Sequence, residues 1–205
     1  HNSIYDIFKD KSGSIWLATF FGGISVYHPN ETPFQVYSNK SDKNSLSGNI
    51  VSNIKEDENK NLWIGTEGEG LSYYNRTSEK FTTYKNTLSD STSVSSNLIK
   101  AVSIDNNGRV WIGSHNGGLD YFDSSKNDFI NYVPNPNDPE DLFSNNIYNL
   151  LHDSQSRFWV GTNNSGLYLY DKGKKSFKSL QTHIGSLNLD VIEINNLFED
   201  SFKNI

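Results

Sequence analysis

Short runs of alternating apolar and polar residues, bounded by Asn, Asp, Gly and Ser, fill this chain from end to end. Leu71-Ser72-Tyr73-Tyr74 and Leu167-Tyr168-Leu169-Tyr170 are typical, and a period of two marks a half-buried strand rather than a helix. The runs recur on a longer period. Trp16, Trp63, Trp111 and Trp159 are spaced 47, 48 and 48 residues apart. Each stands in the same setting: Ile15-Trp16-Leu17-Ala18-Thr19, Leu62-Trp63-Ile64-Gly65-Thr66, Val110-Trp111-Ile112-Gly113-Ser114 and Phe158-Trp159-Val160-Gly161-Thr162. Six residues before each Trp comes Asp10, Asp57, Asp105 or Asp153, and seven after it Gly23, Gly70, Gly118 or Gly166. Eleven beyond the glycine lies Phe34, Phe81, Phe129 or Phe177.

Each repeat predicts four strands. The first, as at 50–56, ends in a polar turn such as Asp105-Asn106-Asn107-Gly108, where Asp and Asn hydrogen-bond their own backbone and Gly supplies positive φ. The second carries the Trp, a Gly-rich turn leads to the third, and a further turn leads to the fourth, Lys80-Phe81-Thr82-Thr83-Tyr84 in the second copy. Four antiparallel strands recurring every ~40–50 residues form the blade of a β-propeller. The predicted fold is therefore all-β: four blades, at about 2–48, 49–96, 97–144 and 145–191, and the first strand of a fifth within 192–205. Ile194, Leu197 and Asp200 continue the columns of Ile147, Leu150 and Asp153. One architecture fills residues 1–205, with longer connections at 39–48, 86–96, 134–144 and 181–190 expected to be surface loops. The incomplete fifth copy, the start at His1 and the lack of any Met suggest a piece of a larger protein. Such a piece is expected to form an open arc that self-associates through its edges, or a strained ring.

Composition narrows the function. Eighteen Lys and Arg against 24 Asp and Glu give a net charge of −6, so no contact with nucleic acid is expected. No apolar run is long enough to insert in a membrane. The absence of Cys removes thiolate catalysis, disulfides and cysteine metal sites.

The repeated residues read as structural. A Trp at one strand position in every copy fits a wedge between blades, removing ~150–250 Å² from water. The Gly column suits a turn that needs positive φ or close backbone approach. The Asp column resembles half of a calcium loop but lacks its glycine spacing, so a turn-closing role is expected and no metal. His1, His28, His115, His152 and His183 show no metal-ligand spacing, and no catalytic motif or cofactor-binding loop is found. A ligand would meet the face that carries the turns between second and third strands. That face holds Phe20, Phe21, Glu67, Glu69, His115, Asn116, Asn163 and Asn164, and aromatic rings beside amides and carboxylates would suit a sugar.

The composite Asn-x-x-Ile/Val-x-x-Ile-x-x-Asp-x-x-Gly-x-Leu-Trp-Ile-Gly-Thr-x-x-Gly-Gly-Leu resembles the two-component regulator propeller repeat. Asn49 through Leu71 and Asn97 through Leu119 carry it most fully. Ala18, Glu69, Ser165, Lys60 and Ser156 depart from its glycines. The resemblance implies a usually seven-bladed periplasmic sensor region of an inner-membrane hybrid sensor histidine kinase, of the kind found in Bacteroidetes, responding to oligosaccharides from polysaccharide breakdown. It implies that this segment is not itself an enzyme and that kinase and receiver lie elsewhere. A structural or dimerisation module with ligand contacts in other blades is the alternative, and a propeller lyase or hydrolase a more distant one.

Overall fold

The computed structural model describes residues 3–29, 35–42, 44–135, 137–139, 141–163, 165–180, 183–184, 187–188 and 193–205. Sixteen of its strands form four antiparallel meanders. Blade one contains β1 (Ile4–Lys9), β2 (Ile15–Thr19), β3 (Gly23–Tyr27) and β4 (Gln35–Tyr37). Blade two contains β5 (Val51–Glu56), β6 (Leu62–Thr66), β7 (Leu71–Asn75) and β8 (Lys80–Tyr84). Blade three contains β9 (Ile99–Ile104), β10 (Val110–Ser114), β11 (Gly118–Asp123) and β12 (Asp128–Asn131). Blade four contains β13 (Ile147–His152), β14 (Phe158–Thr162), β15 (Leu167–Asp171) and β16 (Ser176–Ser179).

The Asp column builds the turn between first and second strands. Oδ1 of Asp57 accepts the amide protons of Asn59 and Asn61, both at 2.9 Å. Asp105 holds Asn107 and Arg109 in the same way, and Asp153 holds Gln155 and Arg157. The third residue past each Asp has positive φ: Gly13 at 88°, Lys60 at 65°, Gly108 at 77° and Ser156 at 61°. Oδ2 then reaches the indole of the following strand, at 2.9 Å from Trp16 Nε1, 3.2 Å from Trp111 and 2.8 Å from Trp159. In these three blades one carboxylate thus closes the hairpin and fixes its Trp, because the six-residue offset returns the strand beside it.

The core lies between blades. One buried cluster joins Trp16, Ile24 and Val26 of blade one to Val51, Ile54 and Ile64 of blade two. A second joins Trp63 and Leu71 to Ile99, Val102 and Ile112. A third joins Trp111 and Leu119 to Ile147, Leu150 and Phe158. In blades two, three and four the second strand has a glycine where the next first strand or its counterpart crosses it. A Cβ on Gly65 would stand 2.7 Å from Ile99 Cγ2, one on Gly113 2.6 Å from Ile147 Cγ2, and one on Gly161 2.6 Å from Ile194 Cγ2. In blade one the position is Ala18, and its counterpart across the joint is the smaller Val51, both fully buried.

At the amino end, Ile4 and Ile7 are 52% and 62% exposed, whereas their equivalents Ile99 and Val102 are buried. The difference follows from the packing rule: these positions face the preceding blade, and no sheet precedes β1 among the described residues. At the other end, Ile194 donates its amide to Thr162 O at 3.0 Å and seats against Gly161. Residues 193–200 carry the columns of a first strand but form no ladder, because no second strand runs beside them among the described residues. The following turn is nevertheless made. Asp200 accepts the amides of Phe202 and Asn204, and Lys203 has a φ of 66°. Within the connection at 181–190, read from sequence as a loop, β17 (His183–Ile184) and β18 (Leu187–Asn188) pair as a short hairpin.

Candidate functional site

The antiparallel meander puts the turns between second and third strands beside the connections that enter each first strand. Gly23 N–H donates to Asn49 O, Gly70 N–H to Asn97 O and Gly118 N–H to Asn145 O. These glycines have φ of 77°, 82° and 76°, and a Cβ on Gly70 would meet Tyr84 O at 2.3 Å. Positive φ therefore acts at all three of these glycines, with close backbone approach added at Gly23 and Gly70, and the turn residues are brought to one face.

On that face the structure joins some of the residues singled out from sequence and separates others. Glu67 of blade two forms an ion pair with Lys100 of blade three, Oε1 to Nζ at 2.9 Å, with both side chains about three-quarters covered. The Lys100 ammonium lies 5.4 Å from the centre of the Tyr148 ring in blade four. The Tyr148 hydroxyl lies 3.3 Å from Nδ1 of His115, a hydrogen bond whose donor depends on the imidazole tautomer. Two rings, a carboxylate and an ammonium from three successive blades thus form one linked group. Asn116 stands beside it with a φ of 61°, its amide bonded to Asn146 Oδ1.

The other candidates lie apart. Phe20 packs on Phe21 at 4.2 Å and on Tyr5 at 5.6 Å, an aromatic patch at the blade-one end of the face, with Phe21 54% exposed. Glu69 pairs with Lys85, just past the outer strand β8, and so leaves the Glu67 group. Asn163 bonds through its amide to Asn146 O. Asn164 lies outside the described residues, as does Phe34 of the Phe column. Of the structural columns, the glycines build the turns of this face, whereas the Trp and Asp side chains lie toward the opposite ends of the strands.

Lys100, Tyr148 and Tyr5 were missed because they sit in strands rather than turns. The signal was present: between the fixed apolar columns headed by Ile4 and Ile7, the second position reads Tyr5, Ser52, Lys100 and Tyr148. A polar, non-repeating column in an otherwise repeating strand marks side chains not used for packing. Deeper along the inner strands, burial pushes the Asp6 carboxyl up in pKa, partly offset by the Lys55 charge, and pushes Lys55 down.

Chemically, the linked group offers donors, an acceptor and a ring face, with its charges already paired. A partly exposed ion pair such as Glu67–Lys100 contributes only ~0.2–1 kcal/mol. A ligand that supplies a replacement acceptor for Lys100 can therefore break it at little cost.

Four segments of the chain, residues 1–21, 45–68, 93–116 and 141–164, match the two component regulator propeller family. No curated protein sequence matches it. Among solved structures, the extracellular domain of BT3049 from B. thetaiotaomicron, described as a hybrid two component system, aligns with a TM-score of 0.79 and 23% identity, covering 100% of this chain and 27% of its own. The extracellular domain of BT4673 from the same organism, described in one structure as a one component and in another as a hybrid two component system, aligns with TM-scores of 0.70 and 0.69 at 22% identity. Those two alignments cover 87% of this chain and 25% of the other. A catalytically inactive virginiamycin B lyase from Staphylococcus aureus, solved with quinupristin, aligns with a TM-score of 0.62 at 15% identity, over 86% of this chain and 54% of its own. The chain spans about a quarter of the two extracellular domains. At these identities the likeness is one of fold, a propeller in each case. Among the described residues no helix is long and apolar enough to cross a membrane.

Proposed function

For a chain built of two-component regulator propeller repeats, we propose a place in the periplasmic sensing region of a hybrid sensor histidine kinase, with an oligosaccharide as its signal. The observation that carries this reading is the group formed by Glu67, Lys100, His115 and Tyr148. A sugar ring stacks on Tyr148, its hydroxyls bond Lys100 and His115, and Glu67 accepts from a neighbouring hydroxyl. Because the contacts come from three blades, a bound ligand favours one arrangement of those blades over another, and only such differential affinity can move a signal. The kinase and the membrane segment belong to the parent protein in this reading. Catalysis is not assigned to the group, since its carboxylate is held by Lys100.

Isothermal titration against a panel of oligosaccharides tests it. At least one is expected to bind, with affinity at least tenfold weaker in Tyr148→Ala and in Lys100→Ala. Absence of binding across the panel, or binding that both variants leave unchanged, overturns the proposal. A second reading rests on Ile4 and Ile7, which are open to solvent on the face that other blades cover. That reading is self-association through this face, and a monomer by light scattering at all concentrations would reject it.

A further inference from the structure

The opposite side of the molecule, where the turns between first and second strands lie, has grooves between blades two and three and between blades three and four, and at the joint of blades one and two an arginine crosses from one blade to the other. Three of the four Trp rings have an arginine beside them. Arg76, which follows β7, reaches back to blade one: its Nη2 is 2.7 Å from Asp10 Oδ2 and 3.3 Å from Glu56 Oε2, and its Cζ lies 4.9 Å from the Trp16 ring centre. Arg109 lies 5.7 Å from the Trp111 ring and Arg157 4.9 Å from that of Trp159, with Arg157 also paired to Asp153. The arginines come from two repeat positions. One reads Arg76, Ser124 and Lys172, and the other Ser14, Asn61, Arg109 and Arg157.

At Trp63 the two positions are Ser124 and Asn61, so no arginine lies over this ring among the described residues, and Trp63 and Asp57 line one cavity. In place of a guanidinium the Tyr73 ring packs against Trp63 at 4.7 Å, and burial, with the Asp57 charge beside it, pushes the Tyr73 hydroxyl up in pKa. Here the groove is open, a cavity of about 620 Å³. Its floor includes Trp63, Tyr73 and Tyr84, and its rim carries Asp57, Glu58 and Asp123. The cation on the far wall is Arg109, held over Tyr121 at 4.6 Å; Asp123 is paired with Lys126, which leaves Asp57 and Glu58 as the rim carboxylates with no ion pair among the described residues. Glu58 is exposed and makes no ion pair among the described residues.

We infer that this groove binds a small organic cation, a guanidinium or primary ammonium group seated between the Asp57 carboxylate and the Trp63 ring as Arg76 is seated between Asp10 and Trp16. The neighbouring groove supplies the chemistry: a carboxylate and an indole face together select a flat or compact cation. An aromatic floor accommodates the rest of the ligand. The site lies on the face away from Glu67, Lys100, His115 and Tyr148, so it stands or falls independently of the oligosaccharide reading.

The test is titration of the chain with L-argininamide, followed by amide and indole NMR shifts, with an uncharged sugar as control. Saturable shifts centred on the Trp63 indole and the Asp57 turn are expected, with none from the control. Ser124→Arg places a guanidinium in the groove from within the chain, as Arg76 does next door. It is expected to raise Tm and weaken argininamide binding at least tenfold. Glu58→Lys, an exposed change that leaves packing alone, is expected to weaken it at least threefold and serves if Ser124→Arg fails to fold. No saturable shift, shifts centred elsewhere, or unchanged affinity in a folded Ser124→Arg or in Glu58→Lys would overturn the inference.

Discussion

Replacing Gly113 by Ala tests the joint between blades three and four. The added methyl would stand 2.6 Å from Ile147 Cγ2, 3.0 Å from its Cβ and 3.1 Å from its backbone O. Carbon atoms in favourable contact are ~3.5–4.0 Å apart, so about 1 Å must be found. Ile147 is β-branched, fully buried and anchored in β13, so the shift falls on a strand rather than a flexible tip. Overpacking of this kind costs ~1–3 kcal/mol, while loss of glycine's freedom in the unfolded chain returns about 0.4–1 kcal/mol. A net loss of ~1–2 kcal/mol is expected, lowering Tm by ~2–8 °C at this chain length. Blade one shows how the joint accommodates an alanine, since Ala18 faces Val51 where the other blades pair Gly with Ile. Ile147→Val alone should cost about 0.5–1.5 kcal/mol, and the double variant should recover ~1 kcal/mol relative to the sum. Urea unfolding followed by Trp fluorescence, with unchanged m values, measures all four corners of the cycle. A neutral Gly113→Ala, or a double variant that is simply additive, would refute the reasoning.

The Asp turns should differ in strength by what Oδ2 holds. Asp153→Ala strands two amides, the Trp159 indole and the Arg157 guanidinium, and is expected to cost ~3–5 kcal/mol; Asp57→Ala, which loses no arginine, should cost about 1–2 kcal/mol. Equal urea midpoints for the two would reject this ordering. His152 stacks on Phe158 at 4.0 Å, and burial lowers its pKa to about 4 from the ordinary 6.5. The folded state thus favours the neutral ring, its contribution is complete above pH 6.5, and it is lost as pH falls toward 4. With some solvent contact allowed for, the loss from pH 7 to pH 5 is ~1–2 kcal/mol. Asp10, Asp141 and Asp153 have folded pKa values below the usual 3.8, so their contributions persist through that window and fade below it. His152→Gln should flatten the change between pH 7 and pH 5, and an unaltered slope would count against burial as the cause.

The repeat made most of the fold legible. Asp10 and Gly23 and their copies are demanded by turn geometry, and Trp16 and its copies by packing at each Asp turn or blade joint, so they recur in register and announce the hairpins. Residues that carry no such demand were harder to place. Lys100 and Tyr148 fill a column in which each copy differs, and a difference becomes visible only when the strands are seen to converge. Glu67 and Glu69 look equivalent in sequence, yet the turn between them, with Gly68 at a φ of 109°, sends one to Lys100 and the other to Lys85. The ladder expected at 193–200 needs a partner strand, and local pattern cannot supply one. The arginines are spread over two repeat positions, so their shared role over the Trp rings appears only in three dimensions.

The seats at Gly65–Ile99, Gly113–Ile147 and Gly161–Ile194 also govern how force travels. A sheet edge resting on bare backbone has no side chain to compress and no void to collapse into, and packed interiors yield little under load. Neighbouring blades therefore lean on one another like stones in an arch. A ligand of the proposed oligosaccharide site that drew Lys100 toward Tyr148 would displace their strands, and the glycine seats are where that displacement would pass to the next blade. The contacts that stabilise the repeat would then also be the ones that carry its signal.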